Sequence, residues 1–484
     1  MKLGLREVIR VVRGEVVAAA GGGDAVLSGV SIDSRRVAAG DLFLALHGRV
    51  HDGHDFVGEA FRAGAAAAQV TRPVEARAGV QVIVDDVLAA ATALAAYVRD
   101  DVDPLVVGVT GSVGKTTTKD LIAAVAARRF RTVASERSHN NDLGVPLTLL
   151  AVEPDTGVVV CEMGARGPGH IAALCRYARP HVGVLTNVGV THFSEFGSKE
   201  AIGEEKGQLI RALPEGGAAV LNADDPIVLR MRSHARGNVV TYGVSPAAYV
   251  RAEQVEFDRR GRAGFRVVAG AEAAWVSLRV SGRHQVANAL AAAATGVALG
   301  IPLDECARGL DEAKLSPWRM DVRESGGVVV VNDAYNASPA SMAAALETCA
   351  GMVADAGNGA PGGRLVAVLG YMAELGEIEQ TEHERVGALA AALADELVVV
   401  GENARGIADG ARRAGLGAVR LVPDAAEVPG LVEARPGDVV LVKASRVAGL
   451  ETVAETLQGG PTAEDVEEET AEGLDADAGG EGEL

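Results

Sequence analysis

The sequence predicts an α/β protein of three domains: a small N-terminal α/β domain, a central domain on a mainly parallel sheet, and a C-terminal doubly wound α/β domain. Three observations predict it. At 484 residues, a prior of roughly 150 residues per domain gives about three. Apolar runs of strand length alternate with longer helical patterns in two separate stretches, as βαβ units do. The chain is 48% hydrophobic but only 3% aromatic, so its cores are built from Val, Leu and Ala, which suits parallel sheets covered by helices.

The first domain covers residues 1–103, with strands at Leu42 to Leu46 and Val80 to Val84 and an Ala-rich helix from Val87 to Val98. The polar break Asp101 to Pro104 reads as a linker. The second, 104–317, opens on the apolar run Leu105 to Val109, followed by a Gly-rich loop and a helix from Thr116. Further buried strands are expected at Val158 to Cys161 and Val182 to Leu185. The third, 318–457, repeats the alternation at Val328 to Val331, Leu365 to Leu369, Leu397 to Val400 and Val439 to Val442. Residues 458–484 form a tail. From Pro461 to Leu484 it holds ten acids and no bases, with no apolar periodicity, and is expected to be disordered.

The net charge of −19 falls to −9 without that tail. A chain so poor in positive charge is not expected to bind nucleic acid, because neutralising phosphates needs a basic surface. Cys161, Cys175, Cys306 and Cys349 are too dispersed for a CxxC-type metal site and read as reduced, buried thiols. The start, Met-Lys-Leu-Gly-Leu-Arg-Glu, has no apolar signal core, and the Leu290 to Ile301 stretch is too short to span a membrane. The expectation is a cytoplasmic protein without stable membrane insertion.

The strongest local signal is Gly111-Ser112-Val113-Gly114-Lys115-Thr116-Thr117. It follows a strand and opens a helix, as a phosphate loop must. Glycines let backbone N–H groups converge on phosphate oxygens, and the helix N-terminus adds positive potential. Lys115 reaches the terminal phosphates, and Thr116 offers an oxygen to Mg²⁺. The spacing is G-x-x-G-K-T, because Val109 stands where the longer motif has its first glycine.

A magnesium-bound triphosphate needs more oxygen ligands. Glu162 ends the apolar Val158–Cys161 run, where the ligand crevice of an α/β sheet lies. His192 follows another strand by a short loop. Taken alone, each is more often a cap or a satisfied polar residue; both, however, follow strands of the sheet that carries the phosphate loop. Lys206 shares the apolar stripe of Ile202, Leu209, Ile210 and Leu213, so it either snorkels to water or is chemically special.

At this point the motifs resemble a known family. The phosphate loop, Glu162, the segment from Thr191-His192 to Ser198 and Glu205-Lys206-Gly207 are similar to those of the Mur ligases, ATP-dependent amide-forming enzymes. So are Gly282-Arg283-His284 with Asn288, and Asn332-Asp333-Ala334-Tyr335-Asn336. The likeness runs from about residue 25 to 455. Asn140-Asn141, Gly144, Pro146 and Met372-Ala373-Glu374-Leu375-Gly376 look most like the member that joins D-alanyl-D-alanine to a UDP-N-acetylmuramoyl tripeptide.

That resemblance implies an N-terminal UDP-sugar-binding domain, a central P-loop ATPase domain and a C-terminal Rossmann-like ligase domain, in a monomeric enzyme using ATP and Mg²⁺. Gly111, Ser112, Gly114, Lys115, Thr116 and Thr117 would hold phosphates. Thr116, Glu162, His192 and a carbamylated Lys206 would hold metal. His284 and Asn288 would contact the base, Arg319 the phosphates, and Asp333 and Tyr335 the ribose and base. Lys115, Lys206, His192 and Arg319 would carry catalysis. Ser31, Asp33, Ser34, Arg35 and the Asp52–His54 stretch would meet the UDP-sugar. Asn140, Asn141 and Asn336 would lie near the sugar or peptide, and Lys443, Ser445 and Arg446 near the incoming dipeptide.

This sequence departs from the family pattern at three points. Tyr371 replaces a common acidic residue, Trp318 stands where glycine often precedes the arginine, and Ala444 replaces a glycine. Rival readings are a sibling ligase with another amine, a folylpolyglutamate synthetase, and a nucleotide-binding scaffold. About 100 residues before the phosphate loop argue against the folate enzyme, and the presence of His192, Lys206 and Arg319 argues against the scaffold.

Overall fold

The computed structural model describes residues 2–18, 25–48, 50–76, 79–136, 138–190, 193–316, 318–356 and 363–459. His192 and the tail from 460 onward lie outside the described residues.

The predicted α/β class is borne out by three mainly parallel sheets. In the N-terminal sheet the strand order is Glu15–Ala18, Val80–Ile83, Ala67–Val70, Asp41–Leu44, Gly29–Ser31, with only the first strand antiparallel. Helix Val87–Val102 ends at Asp103 in the left-handed region (φ 51°), and the chain re-enters a strand at Leu105.

The central sheet has nine strands, in the order Glu272–Ser281, Arg262–Ala269, Val250–Phe257, Asn238–Gly243, Ala218–Asn222, Val182–Leu185, Leu105–Thr110, Val158–Glu162, Thr132–Ala134. Its strands are read by alternation. Val107, Val109, Val158 and Val160 face a core shared with helices Lys115–Ala126, His284–Ala298 and Leu303–Glu312, while Val106, Val159 and Cys161 face a core that continues into the N-terminal domain. Ala291 to Ala294 are all fully buried; without bulk beyond Cβ, that helix lies close against its neighbours. Small residues thus do the packing that aromatics do elsewhere.

The antiparallel ribbon of the last three strands, residues 250–281, departs from the parallel pattern expected of this domain. Its first strand mixes Arg, Glu and Gln with Val and is half exposed, so no continuous apolar run marks it.

The third sheet runs Asp321–Ser325, Val328–Asn332, Val439–Lys443, Leu365–Gly370, Glu396–Val400, Val419–Val422, antiparallel only at the first pair. Cores cover both of its faces, as a doubly wound unit requires. No helix among the described residues is long and apolar enough to cross a membrane. The four cysteines are free and buried.

Candidate active site at the meeting of the central and C-terminal domains

Parallel strands deliver their C-terminal ends to one edge, where helix N-termini also converge. The phosphate loop lies there, between Leu105–Thr110 and Lys115–Ala126. Two of its glycines are irreplaceable on geometry. Gly111 (φ 154°) would place a Cβ 1.8 Å from Thr186 Oγ1, and Gly114 (φ 83°) would place one 2.6 Å from Asn288 Oδ1. The loop is braced from the next strand: Asn187 Oδ1 accepts from Val113 N (2.9 Å) and Thr186 Oγ1 donates to Val113 O (2.7 Å). Ser112 Oγ accepts from Gly189 N at 2.8 Å. Thr117 is buried in the first helical turn. Lys115 Nζ curls over the loop to Gly111 O (3.0 Å) and Ser112 O (3.3 Å). Burial pushes its pKa down against the attraction of Glu162.

Thr116 Oγ1 donates to Glu162 Oε2 at 2.7 Å, and Glu162 Oε1 accepts from Asn140 Nδ2 at 2.8 Å. Thr116 and Glu162 are both buried. Ser135 Oγ accepts from Glu162 N at 3.0 Å and from Thr148 Oγ1 at 3.1 Å. A buried carboxylate beside a hydroxyl is the hard oxygen set that suits Mg²⁺, which completes its shell with phosphates and water. Among the described residues no cluster of three or more His, Cys, Asp or Glu side chains forms a metal cage by itself.

Lys206 is 4% exposed on helix Lys199–Arg211. Its pKa is pushed down to about 7, chiefly by burial and then by the positive charge of Lys115. The adjacent Glu205 accepts from Gly169 N and Ile171 N, each at 2.7 Å, and so fastens this helix to the start of His170–Ala178.

The C-terminal domain closes over this edge. Arg319 Nη2 donates to Thr116 Oγ1 at 2.8 Å, and its guanidinium lies 4.2 Å from the Tyr335 ring centroid. Tyr335 Oη is hydrogen-bonded to Ser138 Oγ of the central domain. Two buried ring and guanidinium nitrogens, Arg319 Nε and His284 Nδ1, have no hydrogen-bond partner, and a nucleotide would supply them.

Several of the expected contact residues are engaged by partners within the protein. Asn288 is buried, accepts from Thr118 Oγ1 (3.3 Å) and donates to Gln285 Oε1 (2.8 Å); it props Gly114 from below. Asn141 Oδ1 accepts from Gly144 N (2.8 Å), where helix Gly144–Leu150 begins. Asp333 is tied to Met320 N (3.1 Å) and to Lys443 (2.6 Å). Lys443 itself is 2% exposed and also donates to Asn336 O at 2.7 Å, so its ammonium fastens the 333–336 loop. Ser445 Oγ donates to Tyr371 O (2.7 Å). Arg446 pairs with Glu451 (3.1 Å) and stacks over Trp318 (4.8 Å).

At the N-terminal domain, Ser31 Oγ donates to Asp33 O (2.8 Å), and Asp33 caps Ser34–Arg36 while holding the Arg35 guanidinium. Ser34 is buried. His54 is buried too; its Nε2 accepts from Thr71 N (2.9 Å), which leaves Nδ1–H to donate to Asp52 (2.6 Å). Asp52 is held well below the usual carboxylate range, first by Arg72 and next by the His54 amide. Arg36 bridges to Glu136 of the central domain at 2.9 Å. The sequence pattern singles out neither Ser135 nor Asn187. Asn187 follows a strand end, as Glu162 does, and that signal could have marked it.

Comparison with known proteins agrees with this architecture. Three sequence models match in order: "Mur ligase family, catalytic domain" over residues 26–103, "Mur ligase middle domain" over 109–296 and "Mur ligase, glutamate ligase domain" over 318–446. The UDP-N-acetylmuramoyl-tripeptide–D-alanyl-D-alanine ligase of Mycobacterium bovis is 41% identical, over 88% of this chain and 91% of its own. A crystal structure of MurF from Acinetobacter baumannii superposes with a TM-score of 0.81 at 29% identity, covering 95% of this chain and 99% of that one. MurF from Thermotoga maritima, solved with ADP, gives 0.75 at 30% identity over 89% and 97%. Nearly full-length identity at that level, with all three domain models in sequence order, leaves one conclusion: this chain belongs to the Mur ligase family.

Proposed function

We infer that the chain joins D-alanyl-D-alanine to the terminal carboxylate of UDP-N-acetylmuramoyl tripeptide, converting ATP to ADP and phosphate and giving the UDP-linked pentapeptide of peptidoglycan synthesis. The observation that carries this reading is the meeting of Arg319 with Thr116 at the phosphate loop, in a chain that aligns almost end to end with relatives named for that reaction.

A carboxylate is a poor acyl donor because oxide is a poor leaving group. In the first step a carboxylate oxygen attacks the γ-phosphorus and ADP leaves, giving an acyl phosphate. The dipeptide amine then attacks the carbonyl carbon and loses a proton. The C–O bond breaks, and phosphate departs with one former carboxylate oxygen. The protein's part is positioning and charge neutralisation. Lys115 and Arg319 face the phosphates from opposite domains, and the phosphate loop supplies its amides. Mg²⁺ held by Thr116 and Glu162 would neutralise further phosphate charge. Lys206, whose amine burial leaves largely uncharged above pH 7, would be a nucleophile for CO₂, and its carbamate would add an anion to that site. Closure of the C-terminal domain excludes water from the acyl phosphate. Free, buried thiols suit a reducing cytoplasm.

The test is product mass. Incubation with ATP, UDP-muramoyl tripeptide and a panel of amines should give the pentapeptide adduct with D-Ala-D-Ala alone. Equal or preferential ligation of a single amino acid would move the chain to a sibling activity.

A further inference from the structure

Lys119 and Asp120 sit on the phosphate-loop helix, yet the chemistry above leaves both unused. Lys119 is 2% exposed, an unusual place for a lysine. Its ammonium pairs with Asp120 Oδ1 at 2.7 Å and donates to Ser135 O at 2.6 Å. The other oxygen, Asp120 Oδ2, accepts both the backbone N–H and the hydroxyl of Ser316, each at 2.9 Å. Ser316 lies in the stretch that joins the two domains, three residues before Arg319. A continuous bonded path therefore runs from Ser316 through Asp120, Lys119 and Ser135 to Glu162, then through Thr116 to Arg319.

The crossing itself is under tension. Trp318 (φ 56°) and Met320 (φ 53°) flank Arg319, both in the left-handed region that non-glycine residues occupy only when their surroundings hold them. On the C-terminal side the holds are visible: Arg446 stacks on Trp318, and Asp333 takes the Met320 N–H. On the central side the hold is Asp120. A residue spans at most about 3.6 Å, so fixing Ser316 keeps the Arg319 backbone within about 11 Å of it. Behind Ser316 the chain is held by apolar packing, with Leu315 against the central core and buried Ala313 capping helix Leu303–Glu312; the Asp120 carboxylate adds the directional bonds that set the Ser316 backbone.

We propose that Asp120 is a positioning residue for Arg319: by pinning Ser316 it fixes the pivot about which the C-terminal domain brings the guanidinium to the phosphates. The proposal rests on the ligase reading above, and turnover by the unaltered enzyme in the same assay keeps the two separable.

Ser316→Ala removes one of the two bonds and touches neither the phosphate loop nor a substrate residue. A hydrogen bond to a charged acceptor is worth a shift of about tenfold in an equilibrium. We expect kcat for the pentapeptide to fall five- to tenfold by that measure, with the Kd for ADP, whose phosphates the untouched loop still holds, changing less than twofold. Ser316→Thr, which keeps the hydroxyl, should restore kcat to within twofold. In an Arg319→Lys background the Ser316→Ala effect should vanish, because the group being positioned is already altered. Any of three results overturns the proposal: wild-type kcat in Ser316→Ala, an equal loss of ADP affinity, or a full multiplicative loss in the Arg319→Lys background.

Discussion

Arg319 and Thr116, 203 residues apart, are joined by a 2.8 Å hydrogen bond from the guanidinium of one domain to the phosphate-loop hydroxyl of another. In the proposed reaction the contact would put a fixed positive charge where phosphoryl transfer develops negative charge. Arg319→Ala should lower kcat by about a hundredfold or more, the usual consequence of removing one such group. ADP affinity should stay near wild type, since the loop's own contacts survive. Stopped-assay kinetics with an ADP titration checks both; a loss confined to KM would assign Arg319 to binding alone.

Gly114→Ala tests the loop itself. The added methyl meets Asn288 Oδ1 at 2.6 Å on a backbone at φ 83°, so the loop must distort. ADP binding by calorimetry should weaken at least tenfold while the melting temperature falls only modestly, for the strain is local, on the order of 1–3 kcal/mol. Retained affinity would show that the loop yields without consequence.

Lys206 gives a pH prediction. With its pKa lowered to about 7, roughly a tenth of the amine is neutral at pH 6 and nine-tenths at pH 8, whereas an ordinary lysine is almost wholly charged throughout. Carbamate formation needs the neutral form, so a ¹³C-carbamate NMR signal with labelled bicarbonate should grow across that window and vanish in Lys206→Ala. A signal flat between pH 6 and 8 contradicts the assignment.

The phosphate loop was legible because its signal is contiguous: strand, glycines, lysine and helix within a dozen residues. Glu162 was legible from its place at a strand end, and Lys206 from a charge on an apolar stripe. The internal bonds of Lys443 and Asn141 were not legible, because their partners, Asn336 O and the Gly144 amide, are backbone atoms that no side-chain pattern reveals. Asp120 and Ser316 were invisible for a related reason: 196 residues separate them. The 250–281 ribbon was not legible because its first strand, Val250–Phe257, interleaves Arg, Glu and Gln with Val and is half exposed.

The thiols supply a check on the cores. Burial pushes Cys161, Cys175 and Cys306 up to about 12, and it raises Cys349 as well. Thiolate is the reactive form, so iodoacetamide at pH 8 should label none of the four in the folded protein and all four in denaturant. Rapid labelling of a native thiol would show that its core opens.

Isotope transfer tests the account most directly. UDP-muramoyl tripeptide carrying ¹⁸O in its terminal carboxylate is incubated with ATP, Mg²⁺ and D-Ala-D-Ala, and the released phosphate is examined by mass spectrometry. One ¹⁸O is expected in each phosphate, formed one for one with pentapeptide and dependent on D-Ala-D-Ala. Unlabelled phosphate, or release indifferent to D-Ala-D-Ala, would contradict it.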